Sequence, residues 1–92
     1  MLERVGASRE LPASYANLFR ELGCRIRKHR TDRQLSQEDM MSFGFSTRHW
    51  QMIESGRPMT VITLLRVCEA FEIPLDQLLN GLSHHLSKQK ID

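Results

Sequence analysis

The residues of this chain best suited to act as nucleophiles, general bases or metal ligands are two cysteines and four histidines: Cys24, Cys68, His29, His49, His84 and His85. The cysteines form no Cys-x-x-Cys motif and read as small core or near-core residues. The last two histidines are adjacent, so their side chains are expected to diverge. His29 and His49 have no carboxylate at ligand spacing, and a zinc site needs three or four convergent ligands. We therefore expect no enzyme activity, no cofactor and no bound metal.

Basic side chains offer a second kind of chemistry, the binding of polyanions. Between residues 20 and 33 the chain has six basic residues against two acidic ones, a local charge of +4. Between residues 60 and 79 one arginine stands against three acidic residues, a local charge of −2. This asymmetry favours a molecule with one basic side that attracts nucleic acid. Charge alone leaves open a solvated basic helix without a partner.

The composition limits the size and class of the protein. Its 92 residues and 10.7 kDa allow one small domain. With 40% apolar and 26% charged residues, the chain is typical of globular proteins. It lacks an apolar run long enough to cross a membrane, and its first residues, MLERVGASRELPAS, lack the apolar region of a signal peptide. We expect a cytoplasmic protein that does not contact membranes.

Apolar residues recur at helical spacing, as at Leu18, Leu22 and Ile26, and strand-like alternation is nearly absent. Residues that commonly begin and end helices divide the chain into five short ones, at about 14–32, 36–43, 46–54, 60–71 and 74–79. The pattern predicts an all-α domain.

Capping residues support these boundaries. Ser36, Ser46 and Thr60 stand at N-cap positions, and Asp39 follows Ser36 at the spacing of a capping box. Gly44 is typical of a helix C terminus. On the fourth helix we expect one apolar stripe to face the core: Val61, Leu64, Leu65, Cys68 and Phe71.

Only two or three residues, around Gly44 and Phe45, connect the second and third helices, which is the length of a helix-turn-helix connection. Six segments follow one another around this turn: LGCRIRKHR, LSQEDM, GFS, WQMIESG, TLLRVCEAF and PLDQLL. Together they resemble the DNA-binding domains of phage repressor and Cro proteins, called XRE-type. The resemblance implies a five-helix, repressor-like domain at residues 14–82, between a flexible N-terminal arm at 1–13 and a polar tail at 83–92.

Two features depart from that family. Met41 occupies a position that is usually small, because the second and third helices cross closely there. The interval from Gln37 to Trp50 is one residue shorter than usual. This predicts a shortened second helix or an altered turn.

The resemblance implies a DNA-binding surface on the second and third helices. The residues at the matching positions are Gln37, Ser46, Thr47, Arg48, Gln51, Met52 and Arg57. The third helix would enter the major groove, with Gln37 and Arg57 on backbone phosphates. Arg48 either bonds a guanine or holds a phosphate, and Met52 either faces the bases or packs inside.

Two further pairs are expected to be structural. Arg30 and Glu54 match a family ion pair that joins the first helix to the third, and such a pair fixes geometry more than it adds stability. Trp50 and Ile53 lie three apart on an apolar stripe and are expected in the core.

Four leucines near the end of the domain bear on the oligomeric state. They recur at i, i+3, i+4 and i+7: Leu75, Leu78, Leu79 and Leu82. One domain of this type covers about half of an operator, so we expect a homodimer through Leu75, Leu79 and Leu82. In the alternative, all but one of the four are core residues and the protein is monomeric until DNA brings copies together.

The sequence therefore predicts a sequence-specific DNA-binding transcriptional regulator whose partner is duplex DNA. The alternative is an antitoxin-like or adaptor module that uses the same fold to hold a protein partner.

Overall fold

The structure, a computed structural model, describes residues 11–86. Its helices are α1 (Ala13–Asp32), the 3-10 helix η1 (Glu38–Phe43), α2 (Thr47–Glu54), α3 (Val61–Phe71), α4 (Leu75–Leu79) and a second 3-10 helix, η2 (Leu82–His85). These residues include no strand, which confirms the all-α class. Residues 1–10 of the predicted arm and 87–92 of the predicted tail lie outside the described residues. None of the described helices is both long and apolar enough to span a bilayer.

The second predicted helix, η1, is a 3-10 helix, and its predicted capping box is formed. The Ser36 amide donates to Asp39 Oδ2 at 2.7 Å, and the Asp39 amide donates to Ser36 Oγ at 3.0 Å. Gly44 ends the helix with a φ of 94°, a left-handed conformation that glycine adopts most readily.

The 3-10 geometry of η1 places only one of its two methionines in the core. Successive residues of a 3-10 helix are about a third of a turn apart. Met40 is fully buried, while the neighbouring Met41 is 60% exposed. Met41, which departs from the small residue usual in the family, therefore faces solvent.

Trp50 of α2 occupies the centre of the core. Its ring meets the rings of Phe45 and Phe71 edge to face, with centroids 5.0 Å and 5.9 Å away. Apolar side chains from every helix complete this core: Leu22, Ile26, Met40, Ile53, Val67, Cys68, Leu78 and Leu82. Burial of Trp50 and Ile53 is as predicted.

The face that α3 turns to the core differs from the predicted stripe. Thr60 caps α3 by accepting from the Thr63 amide at 3.1 Å, as expected. The buried side of α3 is centred on Val67. Val61 and Leu65 point away from that side and are exposed. Together with Ile62, which is 69% exposed, they form an apolar patch on the outside of α3.

The four C-terminal leucines all pack on the core of a single chain. Gly81 takes a φ of 82° and turns the chain back, so Leu82 of η2 is only 2% exposed. Leu78 is fully buried, and Leu75 and Leu79 are half-buried against the core. The prediction of a dimer interface through Leu82 is therefore wrong, because that side chain is buried within its own chain.

Candidate nucleic-acid interface

The connection that leads into α2 is held on both sides. Phe45 is buried, and Ser46 Oγ caps α2 by accepting from the His49 amide at 3.0 Å. From α3, Arg66 donates to the Gly44 carbonyl at 2.8 Å, and its guanidinium carbon lies 4.4 Å from the centre of the Phe45 ring. The first turn of α2 therefore has a defined position relative to α3.

The last turn of α2 is held by Glu54, whose side chain is 5% exposed. Its carboxylate accepts two hydrogen bonds from Arg30 of α1, at 2.6 Å and 3.1 Å. It also accepts from the indole of Trp50 at 2.5 Å and from the amide of Gln37 at 3.0 Å. Arg30 donates a further bond to the Leu35 carbonyl at 2.7 Å. One carboxylate thus joins α1, the residue before η1 and α2.

Hydrogen bonding keeps this buried pair charged. Burial by itself raises the pKa of Glu54, but the donors Arg30, Gln37 and Trp50 outweigh it and hold the pKa below its ordinary value. The hydrogen bond to Glu54 in turn raises the pKa of Arg30. A buried ion pair of this kind determines orientation, because either partner left alone would be an uncompensated charge.

The backbone of α1 touches the end of α2 at Gly23. A Cβ atom at that position would lie 2.7 Å from the Glu54 carbonyl oxygen and 2.9 Å from that of Ile53. Those contacts are with backbone atoms, which cannot swing aside. The absence of a side chain at Gly23 therefore sets the distance between the two helices.

The outer side of α2 presents several of the side chains that the sequence assigns to DNA. One shallow depression is bordered by Arg48, Gln51, Met52, Ser55 and Arg57. Within residues 11–86, Arg48 and Arg57 make no hydrogen bond or ion pair. Met52 lies at the edge of this depression and is exposed, so it does not pack inside. Two guanidinium groups therefore point to solvent beside a glutamine and an apolar side chain.

Gln37 lies behind this surface and contacts α2 directly. Its amide nitrogen donates to Glu54, and its carbonyl oxygen accepts from the Gln51 amide at 3.3 Å. A side-chain amide has two donor hydrogens, so one remains for an external acceptor. The position of Gln51 is thereby tied to the same network that holds the end of α2.

The remaining two predicted residues lie at the start of α2. The Ser46 oxygen is engaged in the cap, and its hydroxyl hydrogen is still a donor. Thr47 is half-buried in the first turn. Both lie where the helix begins, beside Arg48.

Most basic residues of α1 have structural partners. Arg25 donates to the Leu78 carbonyl and Arg33 to the Phe71 carbonyl, both at 2.9 Å, and so they satisfy the C-terminal ends of α4 and α3. Of the six basic side chains between residues 20 and 33, only Arg27 makes no hydrogen bond or ion pair within the described part of the chain. Within the described residues, Arg25, Arg30 and Arg33 thus serve packing, whereas Arg20, Arg27 and Lys28 of α1 are exposed, as are Arg48 and Arg57 on and after α2.

The cysteines and His29 lie apart from this surface. Cys24 is exposed, so its predicted place in or near the core is wrong. Cys68 is buried, and burial raises the pKa of its thiol. His29 is half-buried and stacks on Phe71 with ring centroids 5.8 Å apart, and burial lowers its pKa.

The expected divergence of His84 and His85 is also wrong. Their ring centroids are 4.0 Å apart, and both Nε2 atoms lie within 3.9 Å of Glu21 Oε1. The reason is η2, whose tight turn after Gly81 brings both rings to the side of α1.

Sequence reasoning missed Arg66, which fixes the turn before α2. A signal was present, since Arg66 is the lone basic residue between positions 60 and 79. Its contact with Gly44 crosses 22 residues of the chain, and helical periodicity cannot reveal a contact of that kind.

No protein-family model, curated protein or solved structure matches this chain. What the surface of α2 binds must therefore follow from its own side chains. These are two guanidinium groups that find no partner among residues 11–86, a glutamine held by a second glutamine, and an exposed thioether.

Proposed function

We propose that the protein is a sequence-specific DNA-binding transcriptional regulator of the phage repressor and Cro type, with η1 and α2 as its helix-turn-helix. The observation that carries this proposal is the outer side of α2, where Arg48, Gln51 and Arg57 border one depression. Arginine and glutamine are the side chains that most often read guanine and adenine in the major groove. An α-helix of this size fits that groove, and this mode of DNA binding needs no cofactor.

In the proposed complex, Arg48 donates to the N7 and O6 atoms of a guanine, while Gln51 forms paired hydrogen bonds with an adenine. Met52 supplies an apolar contact to a thymine methyl group. Arg57, in the loop after α2, holds a backbone phosphate, and Gln37 uses its remaining amide hydrogen for another. Phosphate contacts set the register of α2, and the base contacts provide the specificity.

The rigid support behind α2 favours this function. Ser46 and Arg66 hold its first turn, and Glu54 holds its last turn against α1 and Gln37. Base readout requires side chains placed with sub-ångström accuracy, which a frayed helix does not give. The hydrogen bond from Gln51 to Gln37 reduces the entropy that Gln51 loses when it meets a base.

The test is a titration of the full chain against a duplex selected from a random library and against a scrambled duplex, at two salt concentrations. We expect Arg48→Ala to weaken binding to the selected duplex by about 1–3 kcal/mol and to relax preference at one base-pair step. Arg57→Ala should weaken both duplexes about equally, whereas Gln37→Ala, which also releases Gln51, should weaken binding to the selected duplex more than to the scrambled one. Arg57→Ala alone should also lower the salt slope, by roughly one unit.

Lys28→Ala is the matched control, because it removes one positive charge from an exposed side chain of α1 that pairs with Asp32. It should leave the affinity for the selected duplex close to that of the wild type. Equal weakening of both duplexes by Arg48→Ala would make Arg48 a phosphate contact. If neither Arg48→Ala nor Arg57→Ala changes binding, DNA is not the partner of this surface.

We further propose that two copies occupy half-sites one helical turn apart, since a single α2 contacts only a few base pairs. Leu75 and Leu79 remain partly accessible for such a dimer, whereas Leu82 is not. Sedimentation at micromolar concentration, with and without the selected duplex, distinguishes a preformed dimer from assembly on DNA.

The apolar patch of Val61, Ile62 and Leu65 supports a second candidate function, a module that holds a protein partner. Three exposed aliphatic side chains on one helix are a feature of protein-binding surfaces. Under this alternative, a stoichiometric partner binds the wild type and Arg48→Ala but not Ile62→Glu. Under the DNA-binding proposal, Ile62→Glu leaves duplex affinity unchanged.

A further inference from the structure

Three side chains with metal-binding groups converge where η2 folds back onto α1. Glu21, His84 and His85 each offer one ligand atom, and these atoms all lie within 4.8 Å of one another. Glu21 Oε1 is 2.7 Å from His85 Nε2 and 3.9 Å from His84 Nε2. Ligands bound tetrahedrally at about 2.0–2.2 Å from an ion are roughly 3.3–3.5 Å apart. The observed distances to Glu21 bracket that value, so small side-chain movements suffice to admit an ion.

Hydrogen bonds with groups outside the cluster orient the side chains of two of the three candidate ligands. His84 Nδ1 lies 2.7 Å from the Gly81 carbonyl oxygen. A carbonyl only accepts, so Nδ1 is the donor in this bond, and Nε2 lies on the side of Glu21. Ligand histidines in metal proteins commonly have such a bond from their second nitrogen to a carbonyl or carboxylate.

The carboxylate is oriented in a similar way. Arg25 donates to Glu21 Oε2 at 3.2 Å, and the same arginine donates to the Leu78 carbonyl at 2.9 Å. This leaves Oε1 directed at the two imidazoles.

We propose that Glu21, His84 and His85 bind one divalent transition-metal ion of the zinc class and thereby fasten η2 to α1. Two imidazoles and one carboxylate suit zinc and its neighbours, whereas magnesium and calcium prefer oxygen ligands alone. The proton that His85 Nε2 now donates to Glu21 is displaced when the ion binds, to Nδ1 of a neutral ring or to solvent from a charged one. Three protein ligands leave one position for water or an outside donor.

Binding at this point stabilises the C-terminal turn. Leu82 fills the core from the same turn that carries both histidines, so the ion and the packed leucine favour the same conformation. An ion that binds only the folded chain raises the free energy of unfolding by mass action. This inference is independent of DNA binding, because the cluster involves none of the residues assigned to that surface.

The test is calorimetric titration of the full, metal-free chain with zinc chloride, together with thermal unfolding at increasing zinc concentration. We expect one ion per chain and an unfolding midpoint that rises with zinc concentration but not with magnesium. His84→Ala is the informative variant, because that side chain is exposed and its removal leaves the core intact. His84→Ala, His85→Ala and Glu21→Gln should each weaken zinc binding at least about tenfold. Loss of a residue that only hydrogen-bonds to a metal ligand already lowers metal affinity by about that factor.

His49→Ala is the matched control, since it removes one histidine elsewhere and should bind zinc as the wild type does. The exposed thiol of Cys24 is the strongest competing ligand. Zinc binding that survives His84→Ala and disappears in Cys24→Ser would place the ion on the thiol and overturn the proposal. An absence of stoichiometric binding to the wild type would overturn it as well.

Discussion

Two carboxylates, Glu54 and Glu21, form ion pairs with arginines of α1 on different sides of that helix. Glu54 pairs with Arg30 and is 5% exposed, whereas Glu21 pairs with Arg25 and is 37% exposed. Both also accept hydrogen bonds from ring nitrogens, of Trp50 in one case and of a histidine in the other. The two carboxylates therefore have similar hydrogen-bond partners but differ in how deeply they are buried.

Burial decides what each cluster can do. All the donors around Glu54 come from within the protein, so the cluster only fixes the position of α2. Glu21 lies at the surface, where an external ion can exchange with the proton between it and His85. The same pairing of arginine and carboxylate therefore serves rigidity in one place and leaves a ligand set accessible in the other.

The largest expected effect comes from removing one partner of the buried cluster. Glu54→Ala leaves the Arg30 charge buried without compensation, together with the unpaired amide of Gln37. We expect the free energy of unfolding to fall by about 3–5 kcal/mol. Urea unfolding of the metal-free chain measures the change.

Glu21→Ala provides the comparison, because exposed ion pairs contribute about 0–1 kcal/mol. Equal losses for Glu54→Ala and Glu21→Ala would show that burial does not distinguish the two clusters.

A smaller effect is expected where α1 touches the end of α2. Alanine normally stabilises a helix interior by about 1 kcal/mol relative to glycine. At Gly23, however, the new Cβ meets backbone oxygens at 2.7 Å and 2.9 Å, so we expect Gly23→Ala to destabilise the protein by about 1–3 kcal/mol. The neighbouring Cys24→Ala, on the exposed side of α1, should change the free energy of unfolding little. A stabilising Gly23→Ala would mean that the two helices separate readily.

Local patterns in the sequence predicted much of this fold. Ser46, Thr60 and Gly44 stand at helix ends as the sequence predicts, and Ser36 forms the predicted capping box one residue before Gln37, the N-cap of η1. Capping depends on residues only three or four positions apart, so it can be predicted from local sequence. The outward direction of Arg48 likewise follows from helical periodicity once the Ser46 cap is known.

Contacts between distant segments were not predictable in this way. Whether Leu82 faces a partner or the core depends on the turn at Gly81, and both outcomes fit the leucine spacing. The convergence of His84 and His85 follows from the same turn. The hydrogen bond between Gln37 and Gln51 depends on side-chain conformations that no repeat in the sequence specifies.

Two N-caps separate stability from the proposed function. Ser46 caps α2 and Thr60 caps α3 with the same type of hydrogen bond, so Ser46→Ala and Thr60→Ala should each lower the free energy of unfolding by about 1 kcal/mol. Only Ser46→Ala should also weaken binding to the selected duplex, because α2 carries Arg48 and Gln51. Chemical unfolding and duplex titration of both variants give the two readouts. If Thr60→Ala weakens DNA binding equally, general stability accounts for the effect, and the position of α2 does not.

The smallest expected effect concerns His29, which is intermediate in burial between Glu54 and Glu21. Burial against Phe71 and the nearby charge of Arg33 lower its pKa, while Asp32 acts in the opposite direction. The unfolded chain therefore binds a proton at this position more readily than the folded one, and stability present above about pH 6.5 is lost as the pH falls. His29→Leu removes this titration and keeps an apolar side chain against Phe71. Urea unfolding at pH 7.5 and pH 5.5 should show that the wild type loses more stability than His29→Leu, by less than about 1 kcal/mol. If the wild type and His29→Leu lose the same unfolding free energy between the two pH values, the His29 ring takes up a proton in place against Phe71 at no cost. Partial burial on α1 would then affect protonation no more than full exposure does.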